Sequence, residues 1–106
     1  MPKYLLQINY VNEGIKGLLK DGGTTRRAAA DRAAASVGGT LEAMYYAFGD
    51  TDCFVVAEVP DQASAVALSL TLKASGAVTV RTTPLMAVED IDAATKKSPS
   101  YQPPGR

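Results

Sequence analysis

Glu58 is the only acid in an otherwise apolar run, Cys53-Phe54-Val55-Val56-Ala57-Glu58-Val59. A carboxylate placed there has two uses. Burial can raise its pKa until it moves a proton, or it can serve as a structural partner for an arginine or for backbone groups. Tyr45, in a second apolar stretch, could donate a hydrogen bond to a substrate oxygen or act as an acid. More often such a tyrosine is a core aromatic with its hydroxyl satisfied. Glu58 and Tyr45 are the candidate catalytic residues. Arg81 carries a fork of donors that fits a carboxylate ligand, or it is a solvated charge at a strand end. Asp52, close to Gly49 and Asp50, is a base at a pocket mouth or a turn residue bonding backbone. Cys53 has no cationic neighbour in sequence and reads as a buried, inert thiol.

The absences narrow the chemistry further. There is no histidine, so histidine-ligated haem, histidine-rich zinc sites and histidine-based triads are excluded. Any general base is a carboxylate, a tyrosine, a lysine or the ligand itself. One cysteine allows no intrachain disulfide. The expectation is a protein without metal or cofactor. Eleven basic residues balance eleven acidic ones, which disfavours nucleic acid and anionic membranes as partners. No apolar stretch is long enough to span a bilayer. Met1-Pro2-Lys3 runs straight into an alternating segment without the marks of a signal peptide, so the cytoplasm is the expected location. Gly22-Gly23 and Gly38-Gly39 lack the following Lys-Ser/Thr of a phosphate loop.

The elements that must position these residues follow from periodicity. Tyr4 to Tyr10 alternates as a strand, with Tyr4, Leu6, Ile8 and Tyr10 on one side. Asn12 can cap a short helical turn that Gly22-Gly23 breaks. A second helical stretch starts at Thr24 or Thr25 and stops at Gly38-Gly39. Its Ala30, Ala33, Ala34 and Val37 would let it sit close to a sheet, while Arg26, Arg27, Asp31 and Arg32 form a solvated face with an Arg27–Asp31 pair. Leu41 to Phe48 and Cys53 to Val59 make a hairpin around Gly49-Asp50-Thr51-Asp52. Pro60 ends the third strand and Asp61 caps a helix with Ala63, Val66, Ala67, Leu70 and Ala74 as its apolar face. Ala77 to Leu85 is the last strand, at an edge or terminus because of Pro84. Val88 to Lys97 suits a short helix with an acidic start and a basic end. Residues 1–97 form one domain, and 98–106 form a proline-rich tail.

The order strand, helix, strand, strand, helix, strand predicts a split βαβ sheet with both helices on one face. The other face is left open, and a domain of this size gains from covering it. The purely apolar row Cys53, Val55, Ala57 and Val59 belongs on the helix side. The mixed row then places Phe54 and Glu58 on the open face, with Gln7 and Asn9 from the first strand. On the second strand either alternating row could be buried. Gln7, Asn9, Tyr45, Phe54, Glu58 and Arg81 are the expected ligand-binding residues, apolar enough to pack and polar enough to orient a small molecule. An RNA-recognition reading of the same element order fails on the third strand, where basic and aromatic stacking residues are expected and Asp52-Cys53-Phe54-Val55 offers one aromatic and an acid.

From Tyr4 to about Asp90 the chain resembles the GYD-domain family. The matching features are Gly14-Ile15, Arg26 or Arg27, Gly38-Gly39, Tyr45, Gly49, Asp52, the run Glu58-Val59-Pro60-Asp61, Gly76 and Thr82. Thr51 stands where the family's Gly-x-Tyr-Asp has its tyrosine. The resemblance implies a ferredoxin-like α+β fold that pairs with a second copy through its open face, as in dimeric α+β barrels. Two functions fit. One is a small-molecule-binding or regulatory homodimer. The other is a cofactor-free enzyme of isomerase or monooxygenase type, with Glu58 or Tyr45 moving a proton in a pocket between sheet and helix.

Overall fold

The computed structural model describes residues 1–106. Its elements are β1 (Lys3–Tyr10), α1 (Asn12–Ser36), β2 (Thr40–Tyr46), β3 (Cys53–Glu58), α2 (Gln62–Ala74), β4 (Val78–Leu85) and α3 (Val88–Thr95). The four strands lie in the order β2-β3-β1-β4, and every neighbouring pair is antiparallel. This is the expected ferredoxin-like βαββαβ arrangement, with α1 and α2 on one face. Pro84 lies in the outer strand β4, where a missing ladder donor is tolerated.

Period-two alternation sets the two faces. Tyr4, Leu6 and Ile8 of β1 and Cys53, Val55 and Ala57 of β3 are buried under the helices, joined by Val59 and Val80. β2 follows neither of its two alternating rows throughout. A bulge at Glu42, between Leu41 and Ala43, shifts the phase. Leu41 therefore shares the helix side with Met44 and Tyr46, while Ala43 and Tyr45 fall on the open side. β2 also ends at Tyr46, two residues before the expected Phe48. Phe48 has a positive φ of 55°, which no strand residue adopts.

α1 begins by docking its backbone. Asn12, expected as a cap, is the first helical residue, and Val11 in the cap position offers no side-chain bond. Instead the Val11 N–H donates to the Ala77 carbonyl at 3.0 Å. Gly14 rests on the same carbonyl, where an added Cβ would lie only 2.0 Å from the oxygen. The break expected at Gly22-Gly23 is a kink within one helix. Gly22 has φ 78° and ψ 167°, values that only glycine adopts at low cost. The two limbs of α1 run up to and away from this point.

α2 starts as the sequence predicts: Asp61 Oδ1 accepts from the Ser64 N–H at 2.8 Å and from the Ser64 hydroxyl at 2.7 Å. These bonds lower the Asp61 pKa below its usual value. Its buried face is a different one from that expected. Ala65, Leu68 and Leu72 pack on the core, whereas Val66 and Leu70 are exposed, Leu70 by 63%. Apolar residues surround this helix, and Ser69 decides between the faces. Its hydroxyl points at the sheet, hydrogen-bonded to Thr82 and to the Ala65 carbonyl, so the buried face contains a satisfied polar group.

α3 has no buried residue. Met86, Val88 and Ile91 are exposed around it. A compact chain of this length has a radius of gyration of about 13 Å, against 17.1 Å observed, with a longest dimension of 57 Å. No helix is long and apolar enough to cross a membrane.

Candidate functional site

The fold gathers all six expected ligand-binding residues on one face, the open one. Strand register sets Tyr45, Phe54, Gln7 and Arg81 side by side in a single rung across the sheet. Asn9 lies one rung beyond on β1, and Glu58 two rungs the other way on β3. Several of these side chains act as fasteners. Asn9 Oδ1 accepts from the Asp52 N–H at 2.8 Å, and the Asp52 carboxylate accepts from the Tyr10 N–H at 2.9 Å. Gln7 donates to the hydroxyl of Thr51 at 3.3 Å. Thr51 is buried. The β2–β3 loop is thus clasped to the end of β1, and the residue standing in place of the family tyrosine is part of that clasp. Asp52 bonds backbone, as the simpler reading has it, but the backbone is that of β1.

Glu58 pairs with Lys3 at 3.5 Å, and Lys3 Nζ donates to Glu42 Oε1 at 2.8 Å. The two carboxylates raise the Lys3 pKa above its ordinary value, the hydrogen bond to Glu42 contributing most. Glu58 is half-buried and has a structural partner. Tyr45 is 73% exposed, so it is no core aromatic. Arg81 is exposed and makes no ion pair. The two candidate catalytic residues, Glu58 and Tyr45, do not converge on a cavity.

A cavity of about 130 Å³ lies on the opposite face, between the helices and the sheet. None of the six residues lines it. It exists because α1 makes its main contacts with β2 and α2 with β4, leaving the middle of the sheet as a floor of Leu6, Ile8, Val55 and Ala57. The roof is the alanine-rich second limb of α1. Ala34 is buried, as its small size allows, but Ala29, Ala30 and Ala33 are too short to fill the space beneath them. Leu68 and Leu72 of α2, with Leu41, Met44 and Val78, form the walls. Fourteen of the fifteen lining residues are hydrophobic, and the exception is Arg26.

Arg26 corrects the reading of α1 as presenting only a solvated charged face. The Arg27–Asp31 pair forms as expected, at 3.7 Å. Arg26 instead turns to the cavity, with Asp21 at 3.5 Å across the kink. Tyr10 also lines the cavity, and its hydroxyl is 3.1 Å from that of Tyr46. The Tyr10 and Tyr46 rings stack at 6.3 Å, and Tyr46 stacks on Phe48 at 5.8 Å. Burial, then the bond from Tyr10, raises the Tyr46 pKa well above the usual phenol value, and the Arg26 charge offsets part of that rise. The floor of the cavity continues into Cys53, which is fully buried. Burial, aided by the neighbouring Asp52 charge, pushes its thiol up to about 11. Tyr10 was legible in the helix-side row of β1. Tyr46 was hidden by the bulge, and Arg26 by its charged neighbours in sequence.

The GYD domain family matches residues 4–95, and the chain belongs to that family. No curated protein and no solved structure matches it.

Proposed function

We propose that this GYD-domain chain binds a small, largely apolar molecule in the cavity between its sheet and its two helices, as a binding or regulatory module. The cavity carries this reading: about 130 Å³ of space with one charged residue among fifteen. An apolar cavity of about 150 Å³ stays dry and takes up benzene, so the space suits a ligand about one ring in size. Binding is favoured over turnover because Glu58 and Tyr45, the groups considered for proton transfer, stand across the sheet from the cavity. The open face supports a second part of the proposal, that the protein works as a homodimer. Tyr45 is exposed there and Leu5, Phe54 and Val56 are only half-buried, and burying such surface contributes about 25 cal/mol per Å².

The test is titration with benzyl alcohol, followed by protein NMR, on the wild type and on Ala30→Leu. The leucine fills the cavity from its roof. Saturable binding in the wild type, lost in a folded A30L whose Tm is unchanged or raised, supports the reading. Binding that survives in A30L, or is absent from the wild type, overturns it.

A further inference from the structure

We infer that the cavity selects a small organic carboxylate, its apolar body beneath the alanines of α1 and its acid group at Arg26. This rests on the cavity being the binding site. Arg26 is the only charge on the cavity wall. Its guanidinium has one acidic neighbour, Asp21, at 3.5 Å, and it donates no hydrogen bond. A planar carboxylate matches two of its donors at once, which a neutral oxygen cannot do. The tyrosine pair adds a further donor at the same end. Two hydroxyls hold two protons, and the bond between them at 3.1 Å uses one. When Tyr46 donates that bond, the Tyr10 proton is left free on the cavity wall. Burial keeps Tyr46 protonated at all ordinary pH values, so this end of the cavity offers donors and one positive charge to an incoming group. Asp21 already shares the one positive charge, so the site has little to set against more than one charge on a ligand. The apolar walls offer nothing to a second one, which disfavours a phosphate dianion.

The experiment compares benzoate with benzyl alcohol by calorimetric titration near neutral pH. The two probes share a ring and differ in charge. Benzoate should bind the wild type at least about tenfold more tightly, the usual scale for hydrogen bonds to a charged group. In Arg26→Gln that ratio should fall to about one, and Arg32→Gln, on the exposed side of α1, should keep the wild-type ratio. Arg26→Lys retains the charge but loses the fork, and should give an intermediate ratio, which serves if R26Q does not fold. Equal affinities for the two probes in the wild type overturn the carboxylate inference and leave the cavity reading standing. A wild-type ratio that persists in R26Q or is unchanged in R26K removes Arg26 from the assignment. Binding of neither probe overturns both readings.

Discussion

The two faces of the sheet divide polarity and space in opposite ways. The open face holds the residue types that invite a chemical reading: Glu58, Arg81, Gln7, Asn9 and Tyr45. Much of their capacity is used locally. Lys3 gathers Glu42 and Glu58, while Asn9 and Gln7 hold the β2–β3 loop. The covered face reads as plain core, yet it contains the cavity, the tyrosine pair and the one inward-facing arginine. Polar groups on a sheet without a cavity between them fasten strands. A single arginine beside empty apolar space can orient a ligand. The position of the space, more than the richness of the residues, separates the two roles.

Neighbouring residues of β3 give the sharpest contrast. Val55→Asp places a carboxylate among Leu6, Ile8 and Ala57 without a partner. It should cost more than about 4 kcal/mol and leave the chain unfolded by circular dichroism. Val56→Asp, one residue on, faces the open side. It should keep the fold and convert a dimer to a monomer in light scattering. Equal unfolding by both substitutions would show the open face to be as much a core as the covered one. A wild type that is monomeric at micromolar concentration would remove the second copy from the proposal.

The covered face should also report through pH. The Cys53 thiol is raised from 9.0 to about 11 in the folded chain. An acid whose pKa is higher when folded stabilises the fold below its unfolded pKa and loses that contribution as pH rises through the folded value. Chemical denaturation should therefore show stability falling between about pH 9 and pH 11, and falling less in Cys53→Ala. An unchanged slope in the variant would mean that Cys53 is not the group responsible.

The smallest effect belongs to the open face. Glu58→Gln removes one arm of a partly exposed ion pair while Lys3 keeps Glu42, so it should cost about 0–1 kcal/mol. It should leave benzyl alcohol binding unaltered. A changed affinity would mean that the two faces communicate through β3 and do not divide their roles.

The strand order, the faces of β1 and β3 and the cap at Asp61 were legible because each rests on local rules: period two, or one side chain beside a helix start. The kink in α1 was legible in Gly22-Gly23 as an interruption, though not as a bend within a continuing helix. β2 was ambiguous for a physical reason, since its bulge uses part of each alternating row. The buried face of α2 is not legible locally, because Ser69, polar in sequence, finds its partner in Thr82 on another element. The cavity was the least legible feature. Alanines in a helix suggest close approach, and only the tertiary placement of α1 over β2 and α2 over β4 shows that the approach stops short. Arg26 followed the same course, since its neighbours Arg27 and Asp31 do form the exposed pair that the sequence suggests.

The strand order also bears on how the chain is made. β1 is synthesised first, yet it lies inside the sheet, with β3 on one edge and β4 on the other. β2 and β3 can close on each other as a local hairpin soon after they leave the ribosome. β1 must wait for Cys53–Glu58 to satisfy one edge, and for Val78–Leu85 to satisfy the other. Until then its row of Tyr4, Leu6 and Ile8 is bare and its backbone donors and acceptors are open to any extended segment nearby. The clasp of Asn9 and Tyr10 to Asp52 needs nothing beyond the residue that precedes β3, so it can hold β1 in register against its first partner without the second.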